Sequence, residues 1–219
     1  MKEEDGEKEE ACKMMQDVQV ETLGSMVVGE KTDFILEQVR LCLDTNDAAR
    51  AFILSNKVAR PVIAKAEHEA LRLRFCALMV RYWATQRNWL EVAQSHDMAY
   101  STPSVLGDRA ARAAALRDVA VNAVLAPFGS AQHDLVQRVL ADRNSEEVPL
   151  WRNLLVMFNT MELIRWKADV AGVYAKSLSE VAPFSGAPYR RGPGKTPRAS
   201  FRSTSRCSSR SPRPCSAWP

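Results

Sequence analysis

KAEHEALRLRFCALMVRYWATQRNWLEVAQSHDMAY, residues 65–100, is the stretch that decides the class of fold. In its first half Leu71, Phe75, Leu78, Met79 and Tyr82 recur at steps of three and four. That spacing gathers apolar side chains on one face of an α-helix and predicts a long helix over 65–86. A partner helix, NWLEVAQSHDMAY, begins at Asn88 and breaks at Ser101-Thr102-Pro103. So short a break between two helices makes a helical hairpin.

The pattern extends in both directions from this hairpin. Upstream, Ile35, Leu36, Val39, Cys42 and Leu43 line one helical face, with Glu37, Gln38 and Arg40 on the others. Asn46 is the expected cap of a following short helix, NDAARAFILSNKV, which Pro61 stops. Downstream, Leu116, Val119, Ala120, Ala123 and Val124 line a helix that ends near Pro127, because proline excludes the helical turn before it. SAQHDLVQRVLADR follows with Leu135, Val136, Val139 and Leu140. A further helix carries Trp151, Leu154, Leu155 and Phe158 and runs toward Trp166.

Helix pairs therefore recur about every forty residues, as a stacked array requires when each pair leans on the next to bury its apolar face. The expected fold is all-α, a TPR-like solenoid of helical hairpins over 14–178. A single irregular bundle is the alternative. A charged segment, 1–13, precedes the array, and a low-complexity Arg/Ser/Pro tail over 179–219 follows it; both are expected to be disordered.

Charge divides the chain at the same place. Eight of the 30 basic residues (Arg190, Arg191, Lys195, Arg198, Arg202, Arg206, Arg210 and Arg213) fall after residue 184, where no acidic residue occurs. The remaining 22 basic residues face all 26 acidic ones, so 1–184 carries −4 within a chain of net +4. The body gives no electrostatic reason to bind nucleic acid; only the tail does. The N-terminus MKEEDGEKEE is not a signal peptide, and no apolar run reaches the roughly 18 residues of a membrane span. Cysteines 12, 42, 76, 207 and 215 form no CxxC pair and read as reduced intracellular thiols, with Cys42 and Cys76 in the core.

Chemistry is sparse. His68, His96 and His133 sit in separate helices without ligand spacing, and each reads as an exposed or hydrogen-bonded helix histidine. Glu67 and Glu69 flank His68, but adjacent helical residues point to different sides. The glycines of RRGPGK lack the strand and helix that frame a phosphate-binding turn. Glu146-Glu147 is expected to open a helix, where acid complements the dipole. Trp83, Trp89, Trp151 and Trp166 are core fillers ahead of partner anchors. No catalytic, cofactor-binding or metal-binding residues are assigned, and no cofactor is expected.

Four segments carry a resemblance: VQVETLGSM (18–26), FILEQVRLCL (34–43), VLAPFGSAQHDLVQRVLADRNSEEVP (124–149) and LLVMFNTMELIRW (154–166). In this order and at these distances the chain resembles the PCI-family subunits of the proteasome lid over 14–170. The middle, 57–115, shares helical pattern more than words, and AARAAALRDVAVNA is richer in alanine than the family. The resemblance implies an array of helical hairpins, then a winged-helix PCI module and a terminal helix. It also implies a non-catalytic scaffold in a hetero-oligomeric complex of cytoplasm and nucleus. Its partners would be the other lid subunits, including the deubiquitinating one, with no membrane contact.

At the tail the chain departs from the family. SGAPYRRGPGKTPRASFRSTSRCSSRSPRPCSAWP is too poor in apolar residues and too rich in proline to fold a winged helix, so the PCI module is expected to be missing. The favoured expectation is a change of reading frame or a retained intron. The alternative is an evolved arm, making the chain a helical adaptor with an RNA-binding tail.

Overall fold

A computed structural model of the chain describes Met14, Met15, residues 26–160 and Ser177. The segments 1–13 and 179–219, the expected disordered ends, lie outside the described residues. Where the sequence predicts hairpins, nine α-helices follow one another among the described residues: α1 (Val28–Asp44), α2 (Ala48–Lys57), α3 (Arg60–Ile63), α4 (Glu69–Gln86), α5 (Trp89–Tyr100), α6 (Pro103–Gly107), α7 (Arg109–Leu125), α8 (Ser130–Ala141) and α9 (Pro149–Asn159). Single 3₁₀ turns, Ala66–His68 and Arg143–Glu147, precede α4 and α9.

The order is periodic. A long helix, a shorter partner and a short helical turn make one unit; α1, α4, α7 and α9 are the leading helices of four successive units. Their first residues, 28, 69, 109 and 149, fall 41, 40 and 40 apart. Between neighbouring units α1 packs on α4, α7 packs mainly on α5, and α9 packs on α7 and α8. The fold is thus an all-α solenoid.

The first two units turn by one device. At the end of α1, Asn46 takes a left-handed φ of 61°. Its N–H donates to Leu43 O at 3.3 Å while the next N–H, of Asp47, reaches back to Cys42 O at 2.8 Å. Arg87 repeats this at the end of α4, with φ 58° and bonds to Ala84 O and, from Asn88, to Trp83 O. This is the Schellman arrangement, which satisfies carbonyls a helix end leaves open. The residue that closes it then opens the next helix: Asp47 accepts from the Arg50 N–H and Asn88 from that of Glu91. Asn46 is therefore not the cap expected from sequence. Its short polar side chain tolerates the left-handed backbone, and Asp47 caps instead.

Two substitutions test this reading. Asp47→Ala is expected to lower stability by about 1 kcal/mol through the lost cap. Arg87→Gly is expected to raise it by up to about 1 kcal/mol, since a left-handed backbone strains any residue with a Cβ. Urea unfolding monitored by helical circular dichroism measures both.

The prolines also differ from expectation. Pro61 and Pro103, read as breaks, sit in the first turns of α3 and α6, as Pro149 does in α9. A fixed φ and a missing N–H suit a first turn, where that N–H has no helical acceptor. The prolines punctuate the array by starting helices.

Two apolar clusters fill the interior. One joins α1 and α2 to the Phe75, Leu78, Met79 and Tyr82 face of α4. The other runs from Ala84 and Trp89 through α5, α7 and α8 to Phe158 on α9. Trp83 packs against both, edge-on to Tyr82 and Phe52 with ring centroids 4.8 and 5.7 Å apart.

Candidate functional site: interaction surfaces

The residues singled out in the sequence do not converge. His68 ends a 3₁₀ turn with its ring against Gly29, where a Cβ would meet Cε1 at 3.1 Å. His96 lies half-buried on α5, and burial holds its pKa below the usual histidine value. His133 is exposed on α8. Among the described residues no three His, Cys, Asp or Glu side chains gather as metal ligands. Cys42 and Cys76 are buried cysteines outside any disulfide, and burial pushes Cys76 up to about 11, so it stays protonated at neutral pH. Trp89 and Trp151 are core residues and Trp83 packs on both clusters; Trp166 lies outside the described residues. No helix among the described residues is long and apolar enough to cross a membrane.

Glu146-Glu147 does not open a helix as expected. Both close the 3₁₀ turn before α9, and Glu147 takes a forked contact from Arg112 of α7, at 2.7 and 3.1 Å from Nη2 and Nε. Arg112 Nη1 also donates to Leu106 O at 2.5 Å, so one guanidinium ties α6 and the 3₁₀ turn to α7. Tyr100 links the second unit to the third: its hydroxyl donates to Asp142 and accepts from Asn144 Nδ2 at 2.9 Å. Burial, then the bond to Asp142, pushes this phenol up to about 12.

Glu37 and Arg40, placed by the sequence on the polar faces of their helix, belong to a row of paired charges. Asp33, Glu37, Arg40 and Asp44 run along α1; Arg74 and Arg81 run along α4. Arg74 pairs with Asp33 and Glu37, Arg40 with Glu37 and with Asp44 at 2.9 Å, and Arg81 with Asp44 at 2.5 Å. Six side chains of alternating sign thus edge the first inter-unit seam. The signal was present in the acids four and eleven residues after Asp33 and in the seven-residue step from Arg74 to Arg81. Its meaning needed the partner helix.

Arg40, beside Glu37, holds that carboxyl below the ordinary range, with Arg74 adding to the effect. A lowered folded pKa stabilises the fold above the ordinary carboxylate pKa, and the contribution is lost as pH falls through the folded value. Glu37 is partly exposed, so the effect is less than about 1 kcal/mol. Comparison of acid unfolding curves should show Glu37→Gln narrowing the stability gap between pH 7 and pH 3, with no change in the direction of the curve.

Large apolar side chains are exposed among the described residues at Met14, Val27, Val28, Ile53, Phe128 and Val156. An open cavity of about 480 Å³ lies where α1 meets the 3₁₀ turn and α4, lined by Met15, Met26, Phe34 and Leu71 with Glu30 and Asp33 at hand.

Residues 1–108 match the family described as PSMD12/CSN4, N-terminal. The match ends at Asp108, the cap of α7, so it spans the first two units and stops at a unit boundary. The chain is 34% identical over 166 residues to a 26S proteasome non-ATPase regulatory subunit 12 of Dictyostelium discoideum, covering 76% of this chain and 37% of that protein. It is 34% identical over 180 residues to the 26S proteasome regulatory subunit RPN5 of Saccharomyces cerevisiae, covering 82% and 40%. A 26S proteasome non-ATPase regulatory subunit 12 homolog A of Arabidopsis thaliana shares 36% over 190 residues, covering 76% and 43%. The chain spans about two fifths of the length of these curated relatives.

Proposed function

We propose, from the match of residues 1–108 to the family described as PSMD12/CSN4, N-terminal, that this chain is a non-catalytic scaffold subunit of the proteasome regulatory-particle lid. It contributes to lid assembly and thereby to ubiquitin-dependent protein degradation. Its partners are other lid subunits, the deubiquitinating one among them, in cytoplasm and nucleus.

The observation that carries this reading is the periodic array, two units of which coincide with the family match. A solenoid of this kind acts through extended surfaces whose shape is set by how its units stack, not through a pocket. Rigid seams then matter more than any one exposed residue. The cross-unit contacts of Tyr100 with Asp142 and of Arg138 with Asp97, at 3.1 Å, fix the relative setting of the second and third units.

Tagged full-length chain, purified from cells, is expected to bring lid subunits with it in near-equal amounts. Recovery of a folded, helical chain without any lid subunit would sink the proposal. Recovery of nucleic acid instead, lost on deleting residues 185–219, would favour the adaptor with a basic tail.

A further inference from the structure

Contacts between units fix the direction of the helices. Asp33 and Glu37 of α1 pair with Arg74 of α4, and Asp44, further along α1, pairs with Arg81, further along α4. The two leading helices are therefore parallel. Likewise Asp97 of α5 pairs with Arg138 of α8, and Tyr100 at the end of α5 bonds Asp142 just past the end of α8. These two helices are parallel as well. The three hairpin turns, from α1 to α2, α4 to α5 and α7 to α8, consequently line one edge of the array.

One position of each turn recurs along this edge. Asn46, Arg87 and Phe128 follow one another at steps of 41 residues, and all three are exposed, Phe128 to 66%. Phe128 belongs to neither apolar cluster. Asn46 suits its left-handed backbone, whereas Arg87 holds φ 58° with a long side chain and a Cβ that strains it. Neither the strain at Arg87 nor the solvation of the Phe128 ring favours this fold. Strained residues cluster at functional sites, and arginine and aromatic side chains are enriched where protein interfaces concentrate their binding energy. The second and third turns, 86–88 and 127–129, hold one formal charge, that of Arg87.

We propose that the edge at Arg87 and Phe128 docks an acidic segment of a neighbouring lid subunit, an assignment that rests on the scaffold role proposed above. A carboxylate of that segment meets the Arg87 guanidinium, whose fork of N–H donors matches it, and an adjacent apolar side chain covers the Phe128 ring. Asp47 beside Asn46 makes the first turn a poor seat for an acid, so the contact lies on the second and third.

Competition in cells tests it. A tagged variant is expressed beside the untagged parent, and their ratio in purified lid is read by mass spectrometry. Arg87→Gly and Phe128→Ser are each expected to lower that ratio about tenfold, a common loss at an interface anchor. Arg87→Glu should be excluded more strongly than Arg87→Gly, because it sets like charges together. Ile53→Ser, which removes an exposed apolar side chain midway along α2, should enter like the parent. For the chain alone, the urea midpoint should rise in Arg87→Gly and stay unchanged in Phe128→Ser. Parental incorporation of the two edge variants, an equal loss for Ile53→Ser, or Arg87→Glu entering as well as Arg87→Gly overturns the docking edge and leaves the scaffold role standing. A lowered midpoint for Phe128→Ser also overturns it, because the ring would then be covered by this chain itself. Absence of the parent from the lid removes the scaffold role, and the docking edge with it.

Discussion

Val119→Asp is expected to lower the unfolding free energy by about 3–5 kcal/mol, the cost of an uncompensated charge in an apolar interior. Val119 is fully buried on α7, in the cluster that holds Val92 and Ala93 of α5 and Ala120 and Ala123 of α7, all of them inaccessible to water. The small residues let the two helices approach closely, so there is no room to turn a carboxylate outward. Natural domains are stable by only about 5–15 kcal/mol, and such a loss leaves a substantial unfolded fraction. The pH dependence carries a signature. Burial raises the folded pKa of the new carboxyl, so its penalty is full above that value and shrinks as pH falls through it. Urea midpoints of the variant and the parent should therefore converge on acidification. A constant gap between pH 7 and pH 4 would show that the side chain reaches solvent and the seam is looser than its packing.

Phe75→Ala is expected to cost about 3–5 kcal/mol by emptying the centre of the other cluster. Phe75 is 1% exposed on α4, and its ring lies 4.7 Å below the Arg60 guanidinium carbon. Arg60→Ala, which removes only the exposed cation over the ring, should cost about 0.5–1 kcal/mol. Thermal unfolding by calorimetry distinguishes the two: a large shift for Phe75→Ala and a small one for Arg60→Ala. Comparable shifts would mean that the ring's stabilisation comes from the cation more than from burial.

The apolar periodicity made most of this interior legible. Ile35, Leu36, Val39, Cys42 and Leu43, read as one face, are all buried, as are Phe75, Leu78, Met79 and Tyr82. Leu71 and Leu140, assigned to the same stripes, are half-buried because each sits near a helix end where coverage thins. Polar contacts were less legible. A charge on α1 looks idle until α4 stands beside it, and the pairing of Arg112 with Glu147 spans 35 residues of sequence. Helix ends were misread for a related reason. Asn46 and Asp47 have the same capping chemistry, and only the left-handed backbone at Asn46 separates their roles. Proline, read as a stop at 61 and 103, is as good a start. The empty search for catalytic residues left function to the resemblance.

The two clusters also bear on the chain's synthesis. Every buried member of the first lies between Ile35 and Tyr82, and the partly buried residues packed on it reach no further than Met98. Its contacts are short in sequence, the kind that form quickly because little loop entropy opposes them. The first core is thus complete in a nascent chain before any residue of α7 has emerged from the ribosome, since synthesis proceeds at about 5–20 residues per second and local folding is far faster. This first core can settle while the rest of the chain is still being made.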